Sequence, residues 1–583
     1  MRPPNPTYVV PMLLAEELAR AGVRHACIAP GSRSAPLAIA FAAHDGFRIW
    51  THVDERAAGF FALGLAKASR TPVVLVCTSG SAAANLLPAV VEAHHARVPL
   101  VVLTADRPPE LRDCGAPQTI DQHRLFGPHT RWFVDLALPA ETAIGLRAAR
   151  HIAARAAAAA AGPPAGPVHL NLPLREPLAP EPWSIAPAET VIDAPAAIRV
   201  HAARLSPDAA DVAGVAAILR QARRPLVVCG PLDDPDATLP DALATLAERI
   251  GAPVLAELAS NLRRPALDAV LVDAHDALAR ATGFADRHVP DVVLRLGTLP
   301  TSKPLLAWLA RHPAVPQVLL DGDGAWHDPD HVAGALLAGA PALTLRGLAD
   351  QVAEARPDPA WVRRWRGAGQ AARAALRQAV APPDAVFEGH VVGALAGALP
   401  PDATLYAGNS LAFRALDWFW PAGAPPVRVL ANRGANGIDG FVSSLLGAAA
   451  CAAGPTVGLC GDLSFLHDAG GLLAAHRHGV RAVLVVLDND GGGIFDHLPI
   501  AGNPAWFEEL FVTPHGLDLE PLVRAWGAGY VRANTPPELT PALREALDAR
   551  RATVVHVPID RGHSLAAHRR AWRDAVAAAE AAT

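Results

Sequence analysis

Two apolar runs separated by a helix-length segment constrain this chain more than any other feature. Val457-Gly458-Leu459-Cys460 runs straight into Gly461-Asp462, and Ala482 to Leu487 ends in Asp488-Asn489-Asp490 and three glycines. The stretch between them, from about Phe465 to His478, is expected to be helical. Strand, helix, strand is a βαβ unit, so its strands are parallel and their C-terminal ends open on one edge. Asp462 and Asn489 are then expected to meet at that edge, where α/β sheets bind ligands. A carboxylate, an amide oxygen and the backbone carbonyl of Gly491 are hard ligands suited to Mg²⁺. The glycines allow backbone N–H groups close to a diphosphate. Each piece also has a plainer reading, Asp462 as a helix N-cap and the glycines as a turn.

The same alternation fills the N-terminal part. A strand over His25–Ala29 breaks at Pro30-Gly31-Ser32-Arg33-Ser34, and one over Phe47–Thr51 leads through His52-Val53-Asp54-Glu55-Arg56 into a helix over Ala57–Ser69. Val73–Cys77 leads through Thr78-Ser79-Gly80-Ser81 into a helix over Ala82–His94, and Pro99–Thr104 leads into Ala105-Asp106-Arg107-Pro108. Repeated strand, loop and helix imply a parallel sheet covered on both faces. Gly59–Arg107 overlays Gly440–Asp490 with nearly constant offset, which implies two copies of one α/β unit. A third alternating region carries strands over Pro225–Cys229, Pro253–Ala256, Asp291–Leu296 and Val318–Asp321, with no phosphate loop. Proline-rich Gly162–Pro167 and Leu172–Pro195 read as a linker, and polar Arg356–Asp384 as a second connection. The expected domains are 1–185, 198–355 and 380–583.

At 583 residues the chain exceeds one ordinary domain. A net charge of −5 excludes a global nucleic-acid footprint. No signal pattern and no apolar run of spanning length is present, so no membrane association and a cytoplasmic location are expected. The cysteines at 27, 77, 114, 229, 451 and 460 form no C-x-x-C, and several lie in apolar strand-like runs, so they read as buried thiols rather than disulfides or metal ligands. Of 51 lysines and arginines, only Lys67 and Lys303 are lysine. Where arginine has replaced lysine almost everywhere, a remaining lysine hints at a task arginine cannot do. Even so, Lys67 reads as a solvated face residue of its helix, and Lys303 as a loop residue within reach of a ligand.

With Glu55, Asp462 and Asn489 in place, the chain resembles thiamine diphosphate enzymes of the pyruvate-decarboxylase-like arrangement. Within that group it is most similar to the menaquinone-pathway family that joins 2-oxoglutarate to isochorismate. The resemblance rests on Pro30–Ser34, Thr51–Arg56, Thr104–Pro108, Ala116–Gln122, Gly408-Asn409-Ser410-Leu411, Asn432-Arg433-Gly434-Ala435, Gly437-Ile438-Asp439-Gly440 and Gly461–Asp468. One departure is Asp488-Asn489, where such enzymes usually show Asn-Asn; Asn489 is aligned with the metal ligand, and a slip of one would make it Asp488.

The resemblance implies three doubly wound parallel-sheet domains, binding pyrimidine, central, and binding diphosphate. It implies that Glu55 is the catalytic carboxylate on the aminopyrimidine, and that Ser410, Ile438, Gly461, Asp462, Ser464 and Asn489 hold the cofactor. Asp462, Asn489 and Gly491 would bind Mg²⁺ or Mn²⁺. Two substrates with two carboxylates each need permanently charged, bidentate donors. Ser32, Arg33, Arg107, Gln118, Lys303, Asn409, Arg414, Arg433, Ile494 and Phe495 are therefore the expected substrate residues. A homodimer or dimer of dimers is implied, with sites shared between subunits. An acetohydroxyacid-synthase-like carboligase is the alternative; it would show a flavin-binding central domain and fewer arginines in its pocket. A catalytically silent relative would have lost Glu55 or the Asp462/Asn489 pair.

Overall fold

Short Val- and Leu-rich runs bounded by Gly or Pro become strands, and the longer Ala-rich segments between them become the covering helices. The computed structural model describes residues 6–140, 142–180, 198, 200–201, 203–381, 385–421 and 423–582. The first sheet holds β1 (His25–Ile28), β2 (Arg48–Thr51), β3 (Val73–Cys77), β4 (Leu100–Asp106), β5 (Trp132–Asp135) and β6 (Pro167–Pro173). The second holds β7 (Pro225–Cys229), β8 (Val254–Ala256), β9 (Leu271–Val272), β10 (Val292–Leu296), β11 (Gln317–Asp321) and β12 (Ala333–Ala338). The third holds β13 (Thr404–Ala407), β14 (Arg428–Ala431), β15 (Thr456–Gly461), β16 (Val483–Asp488), β17 (Gly529–Arg532) and β18 (Thr553–Pro558). Every pairing among the described residues is parallel, as in βα-wound sheets.

Strand order runs β2-β1-β3-β4-β6-β5 in the first sheet and β14-β13-β15-β16-β18-β17 in the third. The two orders are the same, which is what an internal repeat requires. The second sheet is wound differently, β12-β11-β10-β7-β8-β9. In the first and third sheets the winding reverses between β1 and β3 and between β13 and β15. The loops after those strands therefore border a crevice open to a ligand. They carry Ser32 and Arg33, Ser79 and Gly80, and Asn409 and Ser410, while Gly461 ends β15 and Asp462 opens the helix directly after it.

Helix α1 (Glu55–Ser69) starts at Glu55 because Asp54 caps it, its side chain accepting from the Arg56 N–H at 2.8 Å. Helix α2 (Leu87–His95) is only part of the segment expected over Ala82–His94. Residues 81–84 form a separate turn of helix, and Pro88 opens α2. Helices α3 (Lys303–Ala310) and α4 (Trp361–Val380) follow. Helix α4 corrects the reading of Arg356–Asp384 as a plain connection. Trp361 and Trp365 are buried at 1% and 2% exposure, and the helix packs on the last one. Residues 382–384 lie outside the described residues.

Helices α5 (Leu411–Phe419) and α6 (Phe441–Ala449) precede the central βαβ unit. Its helix is divided into α7 (Asp462–His467) and α8 (Leu472–His478), not continuous from Phe465. Asp468 turns its carboxylate onto Ser443, accepting from N–H and Oγ at 2.7 and 3.0 Å, and Gly470-Gly471 follow. Helix α9 (Arg561–Ala581) ends the chain. The linker expected over Leu172–Pro195 starts too early: Leu172 and Pro173 pair with Ala105 and Asp106 inside β6. Most of its remainder, 181–195, lies outside the described residues.

Candidate active site

At the C-terminal end of β15, Asp462 is 2% exposed. Its Oδ2 accepts from the Gly491 N–H at 2.7 Å and its Oδ1 from the Leu463 N–H at 2.6 Å. The neighbouring strand β16 ends in Asp488, whose Oδ2 meets His556 Nε2 at 2.8 Å. Burial pushes the Asp462 carboxyl up to about 6. Burial is the largest influence on Asp488 too, yet its hydrogen bonds to His556, the Asp490 N–H and Asp462 together outweigh it and hold that carboxyl below Asp462. Asn489 Oδ1 is buried with no hydrogen-bond partner. A buried amide oxygen left so is costly, which makes it a marked acceptor at this edge. Gly461 has open space where a Cβ would stand, its nearest neighbour being Leu487 O at 4.0 Å. Gly491, at φ +134°, has no such space because a Cβ would strike the Val512 carbonyl.

His515 Nε2 lies 3.4 Å from Asp462 and 3.5 Å from Asp488. Nothing in Pro514-His515-Gly516 signals this, since it comes from a loop far along the chain. Ser410, at φ 68°, precedes α5, and Ser464 is buried in α7. Ile438 is 37% exposed on the loop before α6. Glu55 sits half-buried at the head of α1. It is near enough to the end of β3 to add its charge to the burial that pushes up the Cys77 thiol. Beside it Val53 is 67% exposed.

The expected substrate residues fall into two sets. In the first sheet, Arg33 is 6% exposed and its Nη1 donates to the Leu174 carbonyl at 2.8 Å. Arg107 Nη1 donates to Ser79 Oγ at 3.0 Å and Nη2 to the Pro117 carbonyl at 3.1 Å. Gln118 Nε2 donates to the Ser79 carbonyl at 3.0 Å. Ser32 is exposed beside Arg33. Burial lowers the Arg33 pKa and the charge of Arg107 lowers it further. Two guanidinium groups thus face one region, with the exposed Glu176, 3.4 Å from Arg33, and Asp106 as the nearby carboxylates.

In the other set, Lys303, Arg414 and Ile494 line a cavity of about 820 Å³, together with Ser302, Trp418 and Trp572. Arg414 is held by the Ser410 carbonyl at 2.9 Å. Arg433 Nη1 donates to Asn409 Oδ1 at 2.9 Å, and its guanidinium lies 4.5 Å over the Phe413 ring. Burial lowers the pKa of both arginines, with Glu257 opposing. Phe495 packs edge-on against Phe511, with centroids 5.7 Å apart. None of Ser32, Arg33, Arg107 and Gln118 lines this cavity, and no hydrogen bond joins the two sets among the described residues.

Glu257 also belongs here, though no motif marked it. It follows β8, and its Oε1 accepts from the N–H groups of Thr301 and Ser302, just before Lys303. Burial, then the nearby Asp417, pushes its carboxyl up to about 8. Glu257, His275 and Asp417 cluster closely enough to hold a cation. Arg263 already pairs with Asp417, however, and the raised Glu257 carboxyl keeps its proton, so the cluster is neutralised without one.

Lys67 corrects the expectation of a solvated face. Its side chain is 9% exposed and its ammonium has three acceptors: the Ala431 carbonyl at 2.6 Å, Asn432 Oδ1 at 3.1 Å and Glu92 Oε1 at 3.3 Å. Helical periodicity within α1 could not show this, because the acceptors come from other elements.

Residues 10–125 match the family model described as "Thiamine pyrophosphate enzyme, N-terminal TPP binding domain", and residues 422–557 match "Thiamine pyrophosphate enzyme, C-terminal TPP binding domain". A relative from Geobacillus thermodenitrificans named 2-succinyl-5-enolpyruvyl-6-hydroxy-3-cyclohexene-1-carboxylate synthase is 48% identical, over 95% of this chain and 94% of its own. Proteins of the same name from Chloroflexus aurantiacus and Halobacterium salinarum are 45% and 42% identical, each over 96% of this chain and over 94% and 97% of their own. Among solved structures, benzoylformate decarboxylase from Polynucleobacter necessarius superposes with a TM-score of 0.70 at 19% identity, covering 95% of this chain and 98% of that one. A putative thiamin diphosphate-dependent enzyme from Mycobacterium smegmatis gives 0.69 at 20%, covering 94% and 99%. These two show a shared fold.

Proposed function

The chain belongs to the 2-succinyl-5-enolpyruvyl-6-hydroxy-3-cyclohexene-1-carboxylate synthases, thiamine diphosphate-dependent transferases, and from that premise we propose how its own residues serve the reaction. In that reaction 2-oxoglutarate loses CO₂ and the remaining four-carbon unit is joined to isochorismate. Thiamine diphosphate, when bound, supplies the electron sink that makes this decarboxylation and transfer possible. The observation that carries the reading is the placement of the motif residues. They stand at the carboxyl ends of β13, β15 and β16, beside the reversal of the third sheet, while Glu55 heads a helix of the first.

The third-sheet edge fits a diphosphate with its cation. Asn489 Oδ1 lacks a partner, Gly461 leaves space, and Asp462 is a carboxylate that burial disfavours in ionised form unless positive charge arrives. Asp462, Asn489 and the Gly491 carbonyl would hold Mg²⁺ or Mn²⁺, with Gly461, Ser464 and Ser410 toward the diphosphate. Asp488 is engaged by His556, which favours Asn489 as the ligand. Ile438 offers an exposed apolar prop, and Glu55 would hold a proton on the aminopyrimidine ring. Arg33 and Arg107 with Ser32 and Gln118, and Arg414, Arg433 and Lys303 with Asn409, would take up the substrate carboxylates. Ile494 and Phe495 would close the apolar side.

Because the two sets do not meet within one chain, a homodimer or dimer of dimers with composite sites fits the geometry. Exposed Val53 and Ile438 beside the cofactor motifs fit the same reading. Among the described residues no helix is long and apolar enough to cross a membrane. The six cysteines are free, which supports a reducing compartment such as the cytoplasm. Incubation with thiamine diphosphate, Mg²⁺, 2-oxoglutarate and isochorismate, followed by mass spectrometry, tests the activity. Release of CO₂ without an adduct of both substrates would refute it and leave an acetohydroxyacid-synthase-like reaction to be tried.

A further inference from the structure

The loop after β14, Asn432-Arg433-Gly434-Ala435, carries Arg433, whose Nη2 donates at 3.4 Å to Oγ1 of Thr301 in the cavity wall, and it is held from outside its own sheet. Glu92 of α2, itself 3% exposed, accepts from the Gly434 N–H through Oε1 at 2.9 Å and from the Ala435 N–H through Oε2 at 2.7 Å. Gly434 lies so close to the end of α2 that a Cβ would strike the Glu92 carbonyl at 2.6 Å and the Ala96 nitrogen at 2.7 Å. Lys67 of α1 bridges Glu92 to the start of the loop, through the Ala431 carbonyl and Asn432 Oδ1.

From that anchor the contacts run on to Asn409 and Arg433. Asn432 Oδ1 also accepts from the Tyr406 hydroxyl at 2.6 Å, and Asn432 Nδ2 donates to Ser444 Oγ at 3.0 Å. The Asn432 carbonyl accepts from Asn409 Nδ2 at 2.8 Å, and Asn409 Oδ1 accepts from Arg433.

We propose that Lys67 and Glu92 are positioning residues: from the first domain they set the backbone of the 432–435 loop and thereby aim Arg433 and Asn409 at a substrate carboxylate. The inference rests on the reading of Arg433 and Asn409 as substrate contacts. The residue type has a physical reason. An ammonium presents three N–H donors in a tetrahedral fan and finds three acceptors here, whereas a planar guanidinium directs its donors in a fork and is bulkier. That accounts for a lysine at 67 in a chain whose basic residues are otherwise almost all arginine. Glu92 in turn uses both carboxylate oxygens as acceptors, for two backbone N–H groups and the lysine.

The test uses full-length protein with thiamine diphosphate, Mg²⁺ and both substrates, comparing Lys67→Met, Lys67→Arg, Arg433→Ala and the double variant Lys67→Met/Arg433→Ala. The expected result is thiamine diphosphate affinity within about twofold of wild type for both Lys67 variants. For whichever substrate Arg433→Ala impairs, kcat/KM should fall at least about tenfold, mostly through KM, with the other substrate much less affected. The double variant should be no worse than Arg433→Ala alone, because Lys67 acts through Arg433. Additive defects, or equal losses for both substrates together with lost cofactor affinity, would overturn the proposal and leave Lys67 a general stabilising residue. Should Lys67→Met not fold, Lys67→Arg alone and combined with Arg433→Ala supports the same comparison. If Arg433→Ala changes neither substrate's kinetics, it is the substrate assignment that has failed, and the proposal falls with it.

Discussion

Gly64 and Gly447 are reciprocal contacts between two crossing helices: a Cβ on Gly64 would strike the Ser444 carbonyl, and a Cβ on Gly447 the Phe61 carbonyl. The two partners stand at matching places, each one helical turn before the opposite glycine, so α1 and α6 meet across a local two-fold relation. This close crossing joins the first sheet to the third, around a shared core that includes Phe60, Phe61, Leu445 and Leu446.

Gly64→Ala and Gly447→Ala should each destabilise the protein by at least about 1–3 kcal/mol, since the atom struck is backbone and cannot rotate away. The readout is the denaturation midpoint. An unchanged midpoint for either variant would show that the crossing has slack.

Removing the cation should release the cofactor. After chelation of divalent ions, thiamine diphosphate affinity should drop and return with Mg²⁺ or Mn²⁺, and Asp462→Ala should lose that response with the fold intact by circular dichroism. Unaltered cofactor titration of Asp462→Ala would show the cation to lie elsewhere.

Arg414→Ala and Arg433→Ala should leave cofactor binding largely unchanged and lower kcat/KM for at least one substrate by tenfold or more. A buried charged hydrogen bond to a carboxylate is worth roughly 2–5 kcal/mol. Wild-type kinetics with both substrates would take these arginines out of the site.

Glu55→Ala and Asp462→Ala should each be inactive alone. Co-expressed, their heterodimers would collect both lesions in one composite site and leave the other intact, so activity should partly return. Proven heterodimers without activity would place each whole site within a single chain.

Glu257 should make stability depend on pH in an unusual direction. Its carboxyl is held at about 8 in the fold against an ordinary value of 4.5, so the folded state keeps a proton that the unfolded chain loses first. The stabilisation is therefore complete below about 4.5 and is lost as the pH rises toward about 8. Glu257→Gln, which cannot ionise, should flatten that part of the stability curve and raise stability at pH 8 by about 1 kcal/mol or more. Denaturation midpoints across the range decide it; parallel curves for the two proteins would mean that Glu257 is ionised throughout.

The sequence by itself determined the α/β class and the parallel winding of the sheets. It also determined the edge at which Asp462 and Asn489 meet, because strand and helix periodicities and end-of-strand residues are local properties of the chain. Motif placement put Arg33, Arg107, Arg414 and Arg433 at strand ends or helix starts, while their division into two separate sets came from the tertiary structure. Short or weakly patterned strands such as Leu271–Val272, Ala333–Ala338 and Arg428–Ala431 escaped, since only their sheet neighbours make them strands. The helix Trp361–Val380 hid behind a polar sequence because its tryptophans are buried against Phe284, His288 and Trp308, and the helix packs on α9, a partner some two hundred residues away. Only the tertiary structure decided that Lys67 is enclosed, that His515 reaches Asp462, and that Glu257 holds the loop before Lys303. In each case the side chain is defined by acceptors or charges from a distant segment, and no local pattern encodes which distant segment will arrive.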